Sequence, residues 1–467
     1  MDEISKSTRR EFIGKAGIVT AGVSLGVTTL SAASYNRIQG ANDKIRMGFI
    51  GVGNRGSQLL KLFMDQPDQE VAALCDIYEP YLLRDRSKVD QRYLSVMPGQ
   101  IPKMGENFPV KPVLYRDYRK LIEDKSIDAV CIATPDHWHA LQVIDAIKAG
   151  KDVYVEKPLT NTLVEGRKMV EAHAKSDRIV AVGLNRRGNV VFQKLAREIP
   201  EGKIGKVSVA RAARISNMAP NGIGKLKPEQ PPKDFDWDMW LGPRAARPYQ
   251  YNIAPYMFRW WSEYSSQMGN WGVHYMDAIR WLMGERAPVA ITAHGGKYVV
   301  DHDADIPDTM QVTFEFASKK IISFAIYEGT GGDIFPYGEL ELRGTKGNVY
   351  ANERGYRVIP SAAGQFQSWK KQIEEEEFKN PSTVLDDGSS ADSTSGLIRN
   401  FLDCIRSRKQ PFCNLEEGHR STSFAHLANI AVVTKERLLW DADKERFTNS
   451  EKANSMLQYE YRSPWKL

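Results

Sequence analysis

Three short stretches of this chain carry residue types suited to chemistry. The first is Gly51-Val52-Gly53-Asn54-Arg55-Gly56, which follows the apolar run Ile45 to Ile50. Glycines at that spacing let the turn close at Gly51, let the backbone approach a pyrophosphate at Gly53, and let the next helix pack near the strand at Gly56. The free amides of that helix start, Asn54 and Arg55 among them, then face the phosphates. A second apolar run, Glu70 to Cys75, ends in Asp76. That is about twenty residues beyond Gly56, where a carboxylate accepts the ribose hydroxyls and repels a 2′-phosphate. The expected cofactor is therefore NAD. The second stretch is Ala133-Thr134-Pro135-Asp136-His137-Trp138-His139, after the run Ile127 to Ile132. The third is Glu156-Lys157-Pro158, after Asp152 to Val155. In a doubly wound sheet the carboxyl ends of the strands border the ligand crevice, so Thr134, Pro135, His139, Glu156 and Lys157 belong to the cofactor site.

These stretches need a parallel sheet to align them, and the hydrophobic pattern supplies one. Strands are predicted at 45–50, 70–75, 111–115, 127–132, 152–155 and 179–184. Helices are predicted between them at 56–65, 79–95, 117–124, 138–149 and 161–176. Regular alternation of this kind is the pattern of an α/β sheet with helices on both faces. Beyond Asn185 strand-like runs follow one another at 206–215, 288–300, 308–316, 320–328, 338–343 and 347–351. The second half is thus α+β with an open, mainly antiparallel sheet. It also carries an insertion rich in Pro, Trp and Tyr (217–262), a helix over 270–283, a polar excursion over 362–395, and helices at 394–407 and 417–438. The terminal Tyr461-Arg462-Ser463-Pro464-Trp465 is expected to dock, since an exposed tryptophan at a chain end is unusual.

The stretch Ala149-Gly150-Lys151-Asp152-Val153-Tyr154-Val155-Glu156-Lys157-Pro158-Leu159 resembles the signature of the glucose–fructose oxidoreductase/inositol dehydrogenase family. The resemblance takes in the glycine turn, Asp76, and Ala133-Thr134-Pro135 with His139. It extends to Trp240-Leu241-Gly242-Pro243 and to the segment from Gly269 to Leu282. It implies a Rossmann domain followed by an α+β domain whose open sheet builds a substrate cleft and often an oligomer interface, here a homodimer or homotetramer. It implies that Lys157 touches the nicotinamide ribose and the reacting hydroxyl. The family pairs an acid with a histidine four residues later, and here the matching residues are Asn270 and His274. His274 then matches the catalytic base, taking a sugar hydroxyl proton while the carbon-bound hydrogen leaves as hydride. Asn270 departs from the acid; it positions a hydroxyl but takes no proton. On the substrate side, Arg187 follows the sixth strand, and Tyr256 and Trp271 offer aromatic faces that suit a sugar ring.

The first residues are read as an export label. Arg9-Arg10 precedes Phe12-Ile13, the mildly apolar run Ala16 to Leu30, and the small residues Ser31-Ala32-Ala33, which together resemble a twin-arginine signal. The expected parts are a signal at 1–33, a Rossmann domain at 44–185 and a substrate and oligomerisation domain at 186–467. The expected compartment is the periplasm, with no membrane contact beyond export. The formal charge of the whole chain is +6. Lys6, Arg9, Arg10 and Lys15 against Asp2, Glu3 and Glu11 assign +1 of it to the signal, leaving +5 spread thinly over the remainder. No basic stripe with interleaved aromatics occurs, so nucleic acid is not an expected partner. The four cysteines form no C-x-x-C, and no H-E-x-x-H is present, so no metal is expected. Whether Cys404 and Cys413 pair is left open. The leading expectation is a periplasmic NAD-dependent oxidoreductase that takes a hydride from a carbohydrate or glycoside hydroxyl with its cofactor tightly held. The alternatives are a glycosidase working by transient oxidation and elimination, and an inactive sugar-binding protein.

Overall fold

The computed structural model describes residues 44–381 and 393–467; the segment 1–33, read above as an export signal, and its arginine pair lie outside them. The first sheet is six-stranded and wholly parallel, in the order β3-β2-β1-β4-β5-β6. Its strands are β1 (Ile45–Ile50), β2 (Gln69–Cys75), β3 (Val113–Tyr115), β4 (Ala129–Ile132), β5 (Asp152–Val155) and β6 (Val180–Val182). Helices α1 (Asn54–Met64), α2 (Tyr118–Glu123), α3 (Asp136–Lys148) and α4 (Leu163–His173) connect them. The order reverses between β1 and β4, which opens a crevice at their carboxyl ends. Strands β4, β5 and β6 are buried throughout, as expected of a sheet covered on both faces.

The helix expected over 79–95 is instead three separate turns, Glu79–Leu82, Arg86–Lys88 and Gln91–Val96. Arg84 adopts a left-handed conformation (φ 56°), which ends the first turn. The Asp85 and Asp90 carboxylates then accept from the amides of Ser87 and Arg92, capping the next two.

The second sheet has ten strands in the order β14-β13-β12-β11-β7-β10-β9-β8-β15-β16. They are β7 (Val207–Ile215), β8 (Ala290–Gly296), β9 (Thr309–Glu315), β10 (Ile321–Tyr327), β11 (Leu340–Gly344), β12 (Gly347–Asn352), β13 (Gly355–Pro360), β14 (Glu376–Lys379), β15 (Leu438–Asp441) and β16 (Arg446–Phe447). Only the β7–β10 pair is parallel; the other pairings are antiparallel. Burial alternates along β9, with Met310, Val312 and Phe314 inside, so one face of the sheet carries the core. That face packs against α5 (Val190–Glu198), α6 (Val273–Met283) and α8 (Leu415–Thr434) through Phe192, Met276, Ile279, Phe424 and Leu427.

Helix α7 (Thr394–Ser407) lies in the chain between β14 and β15 of the second sheet yet packs on the first domain. Phe401 meets Phe63 and Tyr154 edge-on, and Arg399 pairs with Asp68. The terminus docks as expected. Trp465 meets Trp138 edge-on at 4.8 Å, Tyr461 donates to Glu165 (2.6 Å), and Arg462 donates to the Gly242 carbonyl (3.0 Å). All four cysteines are free and buried, so Cys404 and Cys413 do not pair.

Candidate functional site

A cavity of about 910 Å³ runs from the glycine turn, across the carboxyl ends of β1, β4 and β5, to the start of α6. Gly51 sits at φ 81°, and a Cβ there would come within 2.9 Å of the Ala133 backbone. A Cβ on Gly56 would run into the Gly51 carbonyl. Both glycines are therefore required by the close approach of β1, α1 and the β4 loop. The first turn of α1 has no capping side chain and no acidic residue, so its amides and dipole are left for an anion. Asp76 accepts from the Val52 amide (2.8 Å) and the Tyr78 amide (2.9 Å), one on each oxygen. Burial pushes its carboxyl up, while those amides and Arg84 pull the other way. A carboxylate accepts about four hydrogen bonds, so two positions remain for ribose hydroxyls. The turn, the uncapped helix start and the acid fit a dinucleotide. Replacing Asp76 with alanine removes charge-assisted bonds and should weaken NAD binding about tenfold or more while relaxing discrimination against NADP. Calorimetric titration with both nucleotides checks this, and a preference for NADP in the unaltered protein would contradict it.

Asn54, Arg55, Thr134, Pro135 and Glu156 line the same cavity. Arg55 pairs with Glu156 (2.9 Å) and donates to the Thr394 hydroxyl (2.8 Å), tying the glycine turn to β5 and α7. His139 does not line the cavity. It is buried, with Nδ1 2.9 Å from the Pro158 carbonyl and Nε2 2.9 Å from the Thr134 carbonyl. Its ring staples the β4 loop to the β5 loop and holds cofactor-facing residues without facing the cofactor.

Lys157, Asn270 and His274 line the same cavity, with Lys157 close enough to act on the other two. The Lys157 ammonium donates to the Asn270 backbone carbonyl (2.6 Å) and to its side-chain oxygen (3.1 Å). Residues Met268–Gly272 form one wide π-type turn that runs into α6, so Asn270 and His274 flank the junction. Such turns recur at functional sites because they re-aim side chains. Burial draws the Lys157 pKa down to about 8, helped by Arg259 and Arg55 and opposed by Glu156 and Asp136. Burial, with the charges of Lys157, Arg186 and Arg55, holds His274 well below the ordinary histidine range. The imidazole is then neutral at neutral pH and able to accept a proton. Its Nδ1 is buried with no hydrogen-bond partner among the described residues.

Tyr256 and Trp271, expected on the substrate side, line the same cavity. The Arg214 guanidinium sits 3.7 Å from the centre of the Trp271 indole and holds the ring from behind. Arg187 is a correction. It is buried and pairs with Asp277 (2.8 Å) and Glu417 (2.8 Å), away from the cavity. Its neighbour Arg186 lines the cavity and pairs with Glu339. Residues Asn185–Gly188 form a tight 3₁₀ turn, which sends adjacent side chains to different sides. Sequence reasoning also missed Asp136, Arg259, Glu339 and Arg354 as cavity residues. Asp136 stands inside a stretch already singled out and was within reach. Glu339 and Arg354 flank remote strands, and nothing local marks them.

Residues 45–184 match the oxidoreductase family, NAD-binding Rossmann fold, and residues 205–467 match the oxidoreductase family, C-terminal alpha/beta domain. The myo-inositol 2-dehydrogenase of Thermotoga maritima is 26% identical over 312 residues, which is 66% of this chain and 75% of that protein. The alpha-N-acetylgalactosaminidase of Shewanella oneidensis is 29% identical over 187 residues, covering 36% of this chain and 38% of that protein. A levoglucosan dehydrogenase solved with NADH and levoglucosan superposes with a TM-score of 0.61 at 17% identity, over 85% of this chain and 99% of that one. Two family matches that together span both sheets, joined to a cavity built for a dinucleotide, make this chain a member of the glucose–fructose oxidoreductase/inositol dehydrogenase (Gfo/Idh/MocA) family of oxidoreductases, with NAD as its cofactor.

Proposed function

We propose that this protein oxidises a hydroxyl of a carbohydrate or glycoside with a tightly held NAD. The observation that carries the reading is the convergence of Lys157, Asn270 and His274, from β5 and the start of α6, in the dinucleotide cavity. When bound, NAD supplies the hydride acceptor. His274, neutral and facing the cavity, takes the hydroxyl proton. Lys157 stabilises the developing alkoxide by its charge, and Asn270 fixes the ammonium through two oxygens. Trp271 and Tyr256 hold the sugar ring, and the insertion residues Trp240 and Phe258 keep water from the reacting carbon. The reading is tested by mixing the purified protein with a panel of glycosides and following the NADH absorbance band.

The lysine makes the pH dependence specific. Its charge is lost as pH rises through about 8, so turnover should fall above that pH. Asn270→Asp places a carboxylate against the ammonium and raises its pKa, so the falling limb should move to higher pH. A pH–rate profile of both proteins checks this; a limb that stays in place or moves down would contradict the cationic role of Lys157.

A second reading has support from the similarity to the alpha-N-acetylgalactosaminidase: oxidation, elimination of the aglycone and reduction back, with net hydrolysis. Aglycone release without accumulating NADH distinguishes it. An inactive sugar-binding protein would show neither. We further propose export by the twin-arginine route to the periplasm and assembly into a homodimer or homotetramer through the open sheet. Changing Arg9 and Arg10 to lysine should leave cofactor-loaded protein in the cytoplasm. Fractionation that finds equal periplasmic yield would argue for another route.

A further inference from the structure

Arg259 stands in the insertion, on the 3₁₀ turn Met257–Trp260, and lines the cavity. One of its nitrogens donates to the Tyr256 carbonyl (2.8 Å). The guanidinium carbon lies 4.2 Å from the centre of the Tyr256 ring and 4.4 Å from that of Phe258. Two aromatic contacts and one carbonyl fix the group's position while leaving the rest of the fork free. No carboxylate among the described residues pairs with it, in contrast to three other arginines of the cavity. Arg55 is matched by Glu156, Arg186 by Glu339 and Arg116 by Glu79.

Its neighbours place it at the reacting end. Its charge acts on Lys157 and on Asp136, and burial pulls its own pKa below the usual guanidinium range. The Lys157 ammonium donates to the neutral oxygens of Asn270, with Glu156 and Asp136 acting on it only through space, and no carboxylate among the described residues pairs with Arg354. Asp136 is the opposing acid; Ser265 donates to it (2.5 Å), and burial pushes its carboxyl up. The substrate end therefore carries more positive charge than its own residues answer. A half-buried guanidinium with no paired carboxylate is costly, and its planar fork is matched by a carboxylate or a phosphate. The uncapped amides at the start of α1 suit the pyrophosphate, so Arg259 is not needed for it.

We propose that Arg259 is the carboxylate-binding residue of a uronic acid subsite, so that the carbohydrate taken by this cavity is a uronoside or another carboxylated sugar. The inference rests on the carbohydrate reading above and deepens it. The carboxylate accepts from the free side of the guanidinium, and the hydroxyl to be oxidised then lies toward Lys157 and His274.

The test is calorimetric titration of the NAD-loaded protein with methyl glucuronoside and methyl galacturonoside, with the matching neutral methyl glycosides, and with glucose 6-phosphate. At least one uronoside is expected to bind about tenfold or more tightly than its neutral counterpart. Arg259→Gln should erase that ratio with NAD affinity retained, and Arg259→Lys should keep part of it. Equal or tighter binding of the neutral sugars, an undiminished ratio in Arg259→Gln, or no binding of any uronoside would overturn the proposal. Tighter binding of the phosphate than of either uronoside would overturn the carboxylate assignment. A large loss of NAD affinity in Arg259→Gln would assign the guanidinium to the cofactor and overturn it equally. Selective uronoside binding with neither NADH formed nor aglycone released would leave the subsite standing and refute the oxidation reading instead.

Discussion

His274→Ala should lose about a hundredfold to ten-thousandfold in turnover and still copurify with NAD. That range is typical for removing a positioned general base. The imidazole suits the role because burial and three nearby cations keep it uncharged, with a free acceptor, at neutral pH. Its backbone belongs to α6, on the second sheet, whereas the glycine turn and Asp76 belong to the first. Nucleotide and base are thus held by separate elements, and losing one should spare the other. Lys157→Ala should behave differently. It removes the cation from the β5 loop and frees the Asn270 carbonyl, so turnover and NAD affinity should both fall. Steady-state rates paired with nucleotide titration separate the two cases. Near-normal turnover in His274→Ala would remove the histidine from the chemistry.

Gly56→Ala should cripple nucleotide binding without touching any reacting group. The added methyl runs into the Gly51 carbonyl, and backbone cannot rotate away as a flexible side chain can. Helix α1 must move off β1, carrying its uncapped amides away from the pyrophosphate position. Overpacking of this kind typically costs about 1–3 kcal/mol, equivalent to about tenfold or more in affinity. The substitution should lower the melting temperature of the free protein and shrink the further rise that NAD produces. A full NAD-induced rise in the variant would show that α1 tolerates the shift and that its amides do not set the affinity.

The first sheet was legible because each of its parts leaves a local mark. Apolar runs of strand length, a glycine spacing and one acid at a fixed distance located β1, α1, β2 and Asp76 directly. The parts that escaped depend on partners far along the chain. The apolar stripe of α7 announces a helix but not that Phe401 packs on Phe63 of α1 and Tyr154 of β5. Asn189 capping α5 was a readable start signal, yet no element was predicted between the strands at 179–184 and 206–215. Strands β13 and β14 extend the sheet at one edge, and β14 falls in the polar stretch read as an excursion. At the site, Arg187 was taken for Arg186 because sequence does not reveal which way a 3₁₀ turn aims two adjacent arginines. Arg259 gave no signal at all. What makes it unusual is that no carboxylate among the described residues pairs with it directly, which only the assembled cavity exposes.

The central claim is a hydride taken from a carbohydrate carbon by NAD held in this cavity. It is tested most directly by incubating the purified protein with ring-deuterated glycosides, uronosides included, then denaturing it and weighing the released nucleotide by mass spectrometry. The expected result is NAD in the resting protein and deuterium in the nucleotide after incubation, with both lost in Lys157→Ala. A nucleotide that never acquires deuterium from any sugar of the panel, or a protein that releases no nucleotide, would contradict it.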